Sequence, residues 1–378
     1  MTAHLHADVA VIGLGAMGAM TAWRLAARGA KVIAFDRFRP GHDRGSSHGE
    51  TRIFRTAYFE SPEYVPLLQR AHSLWRRLES ETGSRLLTET GGLMIGAADG
   101  PLIRGVLRSA FHNRLPHQVL SRNEMAQRHP QHRLGPHDVA VLEERAGFLR
   151  PERSVEAAAA RAESLGARLL VETHVTSIES AGARVDLETS SGSFSADRAV
   201  VATGPWTAKL LPAAGLPLQV ERQVVAWLGV QDPAPFAPER FPVFIHELEG
   251  GRYRYGFPTT DGRTVKVGVH HEGAPADPDA LDREVTDQDT APLRDFAARW
   301  LQGVEDRIDR ASVCMYTNAP EERFIVASPV QTPGVTVVSA CSGHGFKFAS
   351  VIGDLVADLL LDSKPAPPII TTRIGATA

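Results

Sequence analysis

The stretch from Asp8 to Asp36, DVAVIGLGAMGAMTAWRLAARGAKVIAFD, constrains this chain more than any other. Val9 to Ile12 is a short apolar run of strand type, followed by GLGAMG with Gly13, Gly15 and Gly18 at G-x-G-x-x-G spacing. Met20 to Arg28 carries apolar residues at helical spacing, Gly29 stops that helix, and Lys31 to Phe35 is a second strand ending at Asp36. Gly13 permits a tight turn out of the strand, Gly15 lets the backbone approach a pyrophosphate, and Gly18 lets the helix pack close to the sheet. The unpaired N–H groups of the helix start favour the pyrophosphate charge. Asp36, at the end of the second strand, is placed to accept hydrogen bonds from ribose hydroxyls. A complete βαβ unit of this kind predicts a dinucleotide site. NAD and FAD both satisfy it.

A chain of 378 residues exceeds one typical core, so two domains are expected. The balance of 41 basic and 44 acidic residues supplies no global charge for nucleic acid or an anionic membrane. No apolar run reaches the ~20 residues of a membrane helix. MTAHLHADVAVIG lacks a signal-peptide layout, and two cysteines, Cys314 and Cys341, do not suggest an oxidising compartment. A cytoplasmic protein is expected.

After Asp36 comes a loop of turn and polar residues, RFRPGHDRGSSHGETRIFRTAYFESPEY, in which Ile53, Phe54, Tyr58 and Phe59 argue for order. Ordered long loops are usually functional, and this one sets Arg and His residues beside an anionic ligand or leaves them solvated. Tyr64 to Glu81 is an amphipathic helix; Thr90 to Ala97 is a strand; Ala140 to Leu149 reads as a hairpin-like pair. Pro151 to Leu165 is a helix closed by Gly166, and strands follow to Val201, where ATGPW makes a second strand-to-glycine turn. Leu218 to Val230, Val243 to Gly256 and Thr264 to His270 alternate as antiparallel strands. In the last, Lys266 and His270 share one face and three valines the other. Arg310 to Thr317 and Val335 to Ala340 are further strands, the second running through CSGHG into an apolar helix; the tail from Ser363 reads as surface.

Metal binding is poorly supported, because the histidines are scattered and no paired cysteines have ligand spacing. No G-x-S-x-G elbow points to a hydrolase. An NAD-dependent dehydrogenase stays open from the first motif. However, the chain leaves the βα rhythm after one unit and rejoins it past residue 150, as FAD domains do more often.

VIGLGAMG, GSSHGETRIFRTAY, YVPL, ATGPW, YGFP, VKVGVHH, CMYT and SGHGFKFAS, in this order along nearly the whole chain, resemble the monomeric sarcosine oxidase and N-methyltryptophan oxidase family. These are FAD-dependent amine oxidases of the glycine-oxidase and D-amino-acid-oxidase class of folds. The resemblance implies an α/β fold, α+β in the second domain. A discontinuous Rossmann-like FAD-binding domain (1–85, 150–217, 310–378) would carry an antiparallel-sheet substrate domain (86–149, 218–309). It implies FAD, bonded covalently through Cys314. It implies that Lys266 helps oxygen react at the flavin, that Arg55 and Lys347 grip the substrate carboxylate, and that His270, Tyr255 and Tyr316 line the substrate cavity. His48 and Arg52 would lie against the flavin ring, with His344, Gly343 and Gly345 at its pyrimidine end. Arg37, Thr51, Val175, Gly204 and Trp206 complete the implied cofactor contacts.

The chain departs from the family's two adjacent histidines, having Ser47–His48, and Glu50 replaces a usual aspartate. FIHELEGGRYRYGFP departs locally where it should border the substrate, so His246, Arg252 and Arg254 are candidates for altering the pocket. No role follows for Ser47 or Cys341. The implied partners are an N-methyl amino acid and O2, in a monomer or weak homo-oligomer. A cyclic imino acid oxidase, a flavin dehydrogenase with another acceptor, and a non-catalytic flavin-binding protein remain alternatives.

Overall fold

In the computed structural model, which describes residues 6–182 and 184–371, strand His6–Ile12 lies at the centre of a mixed sheet. It pairs in parallel with Val32–Phe35 on one side and with Gly192–Val201 on the other. Arg168–Leu170 extends the sheet beyond Val32–Phe35 in parallel, and Val335–Ser339 pairs in parallel with the second half of Gly192–Val201. The first half of that long strand instead takes an antiparallel hairpin, Val175–Ala181 with Arg184–Thr189. Ala10, Val11, Ala34 and Val200 are fully buried, as continuous apolar strands covered on both faces require.

The helix after the glycine turn runs Ala16–Ala26, so it starts four residues earlier than the apolar spacing suggested. The reason is that Gly18 belongs to the helix's first turn. A Cβ on Gly18 would stand 1.7 Å from the carbonyl oxygen of Gly13, and one on Gly13, at φ +93°, would stand 2.6 Å from that of Ala202. Helix, turn and neighbouring strand therefore meet backbone to backbone.

A second sheet orders its strands as Val304–Asn318, Gln219–Val230, Thr264–His270, Arg252–Phe257, Val243–Leu248, Gly92–Ala97, Asp138–Glu143 and Gln118–Leu120. Its inner face buries Val265, Val267, Leu228 and Phe244 against helix Asp287–Trp300 through Leu293 and Phe296. Residues 310–318, expected with the nucleotide-binding part, pair along their length with Gln219–Val230 in this sheet. The hairpin-like reading of Ala140 to Leu149 is corrected. Asp138–Glu143 pairs with Gly92–Ala97 and Gln118–Leu120, whereas Gly147–Leu149 joins a small third sheet with Arg52–Phe54 and Leu87–Glu89. Glu143 and Gly147 are four positions apart, yet their strands serve different sheets.

The tail reading is corrected too: Ile370 is buried, and Thr371 forms a bridge to Ile325, because the chain after Lys364 folds back over an apolar edge. Among the described residues, no helix is long and apolar enough to cross a membrane.

Helix Ala16–Ala26 packs on the first sheet, helix Ala349–Asp362 packs on that helix and helix Val65–Thr82 packs on Ala349–Asp362, and a buried ion network joins the three. Asp354, on helix Ala349–Asp362, accepts from Arg24 Nε at 2.8 Å on the first helix, from Arg28 Nη2 at 2.9 Å just past its end, and from Arg70 on helix Val65–Thr82. Burial alone would raise the Asp354 carboxyl, but the arginines hold it below the usual carboxylate range. Removing one partner of such a cluster leaves buried charge uncompensated. Asp354→Asn is expected to cost about 3 kcal/mol, measured as a lower urea midpoint at unchanged slope.

Candidate active site

One cavity of about 500 Å³ runs from the glycine turn, along the carboxyl ends of the parallel strands, to the outer face of the second sheet. At the first end, Asp36 Oδ2 accepts from Leu14 N at 2.6 Å and Oδ1 from Phe38 N at 2.8 Å, so the carboxylate braces the turn it faces. Space above Gly15 is open, the nearest atom to an added Cβ being Ser47 Oγ at 3.6 Å. That hydroxyl accepts from Ala16 N at 3.1 Å, which gives Ser47 a part at the helix N-terminus. Val175, Gly204, Trp206 and Arg37 line the same end, with the Arg37 guanidinium 5.7 Å from the Trp206 ring centre.

The middle of the cavity is walled by the loop after Asp36 and by strand Val304–Asn318. Cys314 and Tyr316 lie two residues apart on that strand and face the same way. Arg52 Nη2 stands 3.5 Å from Cys314 Sγ and 3.0 Å from Ser46 O. Burial alone would raise the Cys314 thiol; the adjacent His48 ring and the Arg52 guanidinium outweigh it and bring it down to about 6. The buried His48 Nε2 has no partner at hydrogen-bonding geometry, so its approach to the sulfur is looser than a regular hydrogen bond. Cys341 also borders the cavity, yet burial raises its thiol. Only Cys314 is thereby poised as a thiolate.

Lys266 and Thr51 stand behind this wall rather than on it. Lys266 Nζ donates to Gly49 O at 2.6 Å, Thr51 O at 3.0 Å and Thr51 Oγ1 at 3.1 Å, and lies 4.7 Å from the Phe257 ring centre. Burial, and then the neighbouring Arg52 charge, depress it well below the ordinary lysine value. Glu152, which sequence reasoning missed, accepts from Gly49 N at 2.6 Å and Glu50 N at 3.0 Å, fixing the same loop. Its only local signal was an acid in a helix first turn.

The far end is aromatic and cationic. Tyr255 and His270 of the second sheet meet Tyr316, with His270 Nδ1 3.4 Å from the Tyr316 hydroxyl. Gly343, at φ +71°, leaves room there: a Cβ would stand 2.6 Å from the Tyr316 ring and 2.9 Å from His270. Arg55 and Lys347 both border this end. Arg55 Nη2 holds the Glu60 carboxylate at 2.6 and 2.8 Å; Lys347 Nζ donates to His344 O at 2.5 Å. Phe59, Glu60, Ile245 and Tyr253, none singled out from sequence as site residues, add to the lining. His246 and Arg254 turn away from the cavity. His246 is buried 3.7 Å from Asp138 and Arg254 pairs with Glu272, because alternation sends Ile245, Tyr253 and Tyr255 to the site instead. Arg252 is exposed.

This geometry fits an extended dinucleotide with a reactive ring. Open backbone lies at the pyrophosphate position, the buried Ser46 Oγ and His48 Nε2 lack partners beside the cavity, and a low thiol stands at its middle. A family model described as FAD dependent oxidoreductase matches residues 8–359, and the chain belongs to that family. It is 40% identical over 366 residues to a monomeric sarcosine oxidase of Streptomyces avermitilis, covering 96% of this chain and 95% of that protein. It is 34% identical over 362 residues to an N-methyl-L-tryptophan oxidase of Yersinia pestis, covering 95% and 96%. Among solved structures, NikD, an unusual amino acid oxidase essential for nikkomycin biosynthesis, matches with a TM-score of 0.86 at 25% identity over 98% of each chain. Glycine oxidase from Geobacillus kaustophilus shares the fold, with a TM-score of 0.79 at 22% identity over 98% of this chain and 99% of that one.

Burial and then the Arg55 charge bring the Lys347 ammonium down to about 7. An anion bound beside it restores the charged form, so carboxylate binding takes up a proton above that pH. Affinity for an unreactive carboxylate such as propionate, followed by the flavin absorbance, is expected to be highest below pH 7. It should weaken up to tenfold per pH unit above it. A flat profile from pH 6 to 9 would show that Lys347 does not take part.

Proposed function

We propose that this enzyme oxidises the N-methyl group of an N-methyl amino acid, giving the primary amino acid, formaldehyde and hydrogen peroxide. The balance is R–NH–CH3 + O2 + H2O → R–NH2 + HCHO + H2O2. The observation that carries the reading is the convergence of Arg55 and Lys347 at the aromatic end of a cavity continuous with a dinucleotide cradle. FAD, when bound, supplies the redox chemistry, accepting a hydride equivalent from the amine and yielding it to O2.

The chain's own residues do the remainder. Arg55 and Lys347 bind the carboxylate, the guanidinium by a fork and the ammonium as a point charge. To do so, Arg55 exchanges Glu60 for the substrate, so the guest replaces an anion already present. Tyr255, Tyr316 and His270 close the walls and exclude water, which strengthens each charge inside. Burial above all depresses His270 well below the ordinary histidine value, so it presents a neutral imidazole. No protein nucleophile attacks the substrate; orientation and the cationic cavity carry the rate.

Cys314 is the residue that would hold the cofactor covalently. Its thiolate beside Arg52 would bond to a methyl carbon of the bound ring in place of one hydrogen, with O2 as the acceptor of the two electrons and two protons released. The balance is R–SH + ring–CH3 + O2 → R–S–CH2–ring + H2O2. Acid precipitation of the wild-type protein is expected to keep the yellow colour in the pellet. The pellet of Cys314→Ser should be colourless. Under air, an active N-methyl amino acid should release formaldehyde and peroxide in equal amounts. Peroxide without formaldehyde would favour a cyclic imino acid, and product without peroxide a different electron acceptor.

Lys266 is the charge proposed to favour electron transfer to O2 from behind the loop at Gly49–Thr51. Stopped flow on Lys266→Met should show flavin reduction by substrate within a few-fold of wild type and reoxidation by O2 slowed at least a hundredfold. Reoxidation at the wild-type rate would remove that role.

A further inference from the structure

Arg55 and Lys347 border the same end of the cavity, and both lie against one side chain that does not line it. The Tyr58 ring centre lies 4.2 Å from Arg55 Cζ and 5.1 Å from Lys347 Nζ. Tyr58 is fully buried, and its ring is fixed edge-to-face by Tyr64 and Phe348, whose centres are 5.3 and 5.4 Å away. Its hydroxyl bonds to His344 Nδ1, while His344 Nε2 lies 3.0 Å from Glu322 O. A carbonyl only accepts, so Nε2 carries the ring proton, Nδ1 is the acceptor and Tyr58 O–H the donor. The same His344 presents its own carbonyl to Lys347.

We propose that Tyr58 is the positioning residue for carboxylate recognition, its ring holding the two cations at one end of the cavity. This rests on the carboxylate-binding reading of Arg55 and Lys347. The two cations differ in their need for it. Arg55 has a counter-ion in Glu60 and a further acceptor in Ala57 O at 3.2 Å. Among the described residues, Lys347 has the single acceptor His344 O and also faces the rings of Tyr58 and Phe348, the latter centre 5.5 Å away. An ammonium with three donors and one oxygen acceptor is held by π faces or is not held as a cation. The ring's negative face thus helps keep a proton on Lys347 that burial and then the Arg55 charge would drive off.

The test uses the holoenzyme carrying Tyr58→Phe or Tyr58→Leu. Tyr58→Phe keeps the π face and should bind propionate within about threefold of wild type. Tyr58→Leu removes it and should weaken propionate binding about tenfold or more. It should raise KM for N-methyl amino acids by a similar factor with kcat little changed. It should also move the pH at which affinity falls to a lower value. For an N-methyl amine without a carboxylate, the loss in Tyr58→Leu relative to wild type should be smaller than for an N-methyl amino acid. Where Tyr58→Leu does not fold, fluorinated phenylalanines at position 58 keep the volume and weaken the quadrupole, and propionate affinity should fall with each added fluorine. Unchanged propionate affinity in Tyr58→Leu, no trend with fluorination, or equal losses with carboxylate-bearing and carboxylate-free amines would each overturn the inference. Failure of wild type itself to bind propionate would overturn the carboxylate reading and this inference together.

Discussion

The rest of the structure depends on keeping basic side chains out of water. Arg55 and Lys266 are 3% exposed and Lys347 is 5% exposed, and an unpaired charge at such depth is not tolerated. Each is therefore given partners within the fold. Lys266 takes two backbone carbonyls and a hydroxyl of residues 49–51; Arg55 takes Glu60; Lys347 takes His344 O and aromatic faces. The segment from Arg37 to Tyr64 has little regular structure for that reason. Carbonyls committed to a sheet ladder would not be free to turn toward an ammonium. Glu152 ties down the opposing N–H groups at Gly49 and Glu50, so the loop's polar groups are used on both sides.

Two sheets with different physics share one cavity. The parallel strands offer their carboxyl ends and a helix start, where backbone dipoles and open space serve an anion without a fixed charge of their own. The antiparallel sheet offers a face, and alternation decides what stands on it. Gln223 lies opposite Cys314 and Phe257 opposite Lys266, so a single register sets thiol, lysine and aromatic walls at once. A slip of one residue would exchange Lys266 for a valine and turn the core out.

The βαβ unit, the strictly alternating strand Thr264–His270 and the long amphipathic helix were legible because their signals are local: glycine spacing, a period of two, a period of 3.6. Residue types on the site were legible through a resemblance spread over the whole chain. What sequence could not show is where chain separation and spatial separation disagree. Glu143 and Gly147 differ by four positions but belong to different sheets, while Glu152 braces a loop about a hundred residues earlier. His246 and Arg254 looked like pocket residues because they fall in a segment that borders the cavity, yet alternation points them away. Ser47 looked idle, since a hydroxyl that supports a helix start 31 residues earlier leaves no mark on its neighbours.

The two ends of the cavity should also differ in how they answer to pH. At the glycine turn, recognition relies on N–H groups and an aspartate whose oxygens are engaged by backbone. At the other end, Cys314 at about 6 and Lys347 at about 7 both sit near neutrality, and for opposite reasons. Positive neighbours pull a thiol down toward the thiolate, and burial with a positive neighbour pushes an ammonium toward the amine. His48 and Arg52 thus favour the anion of Cys314, while burial and then Arg55 favour the neutral amine of Lys347. A carboxylate bound beside Lys347 would reverse the second effect. If Cys314 holds the cofactor as proposed, its sulfur is poised to do so by His48 and Arg52 whether or not the far end of the cavity is filled.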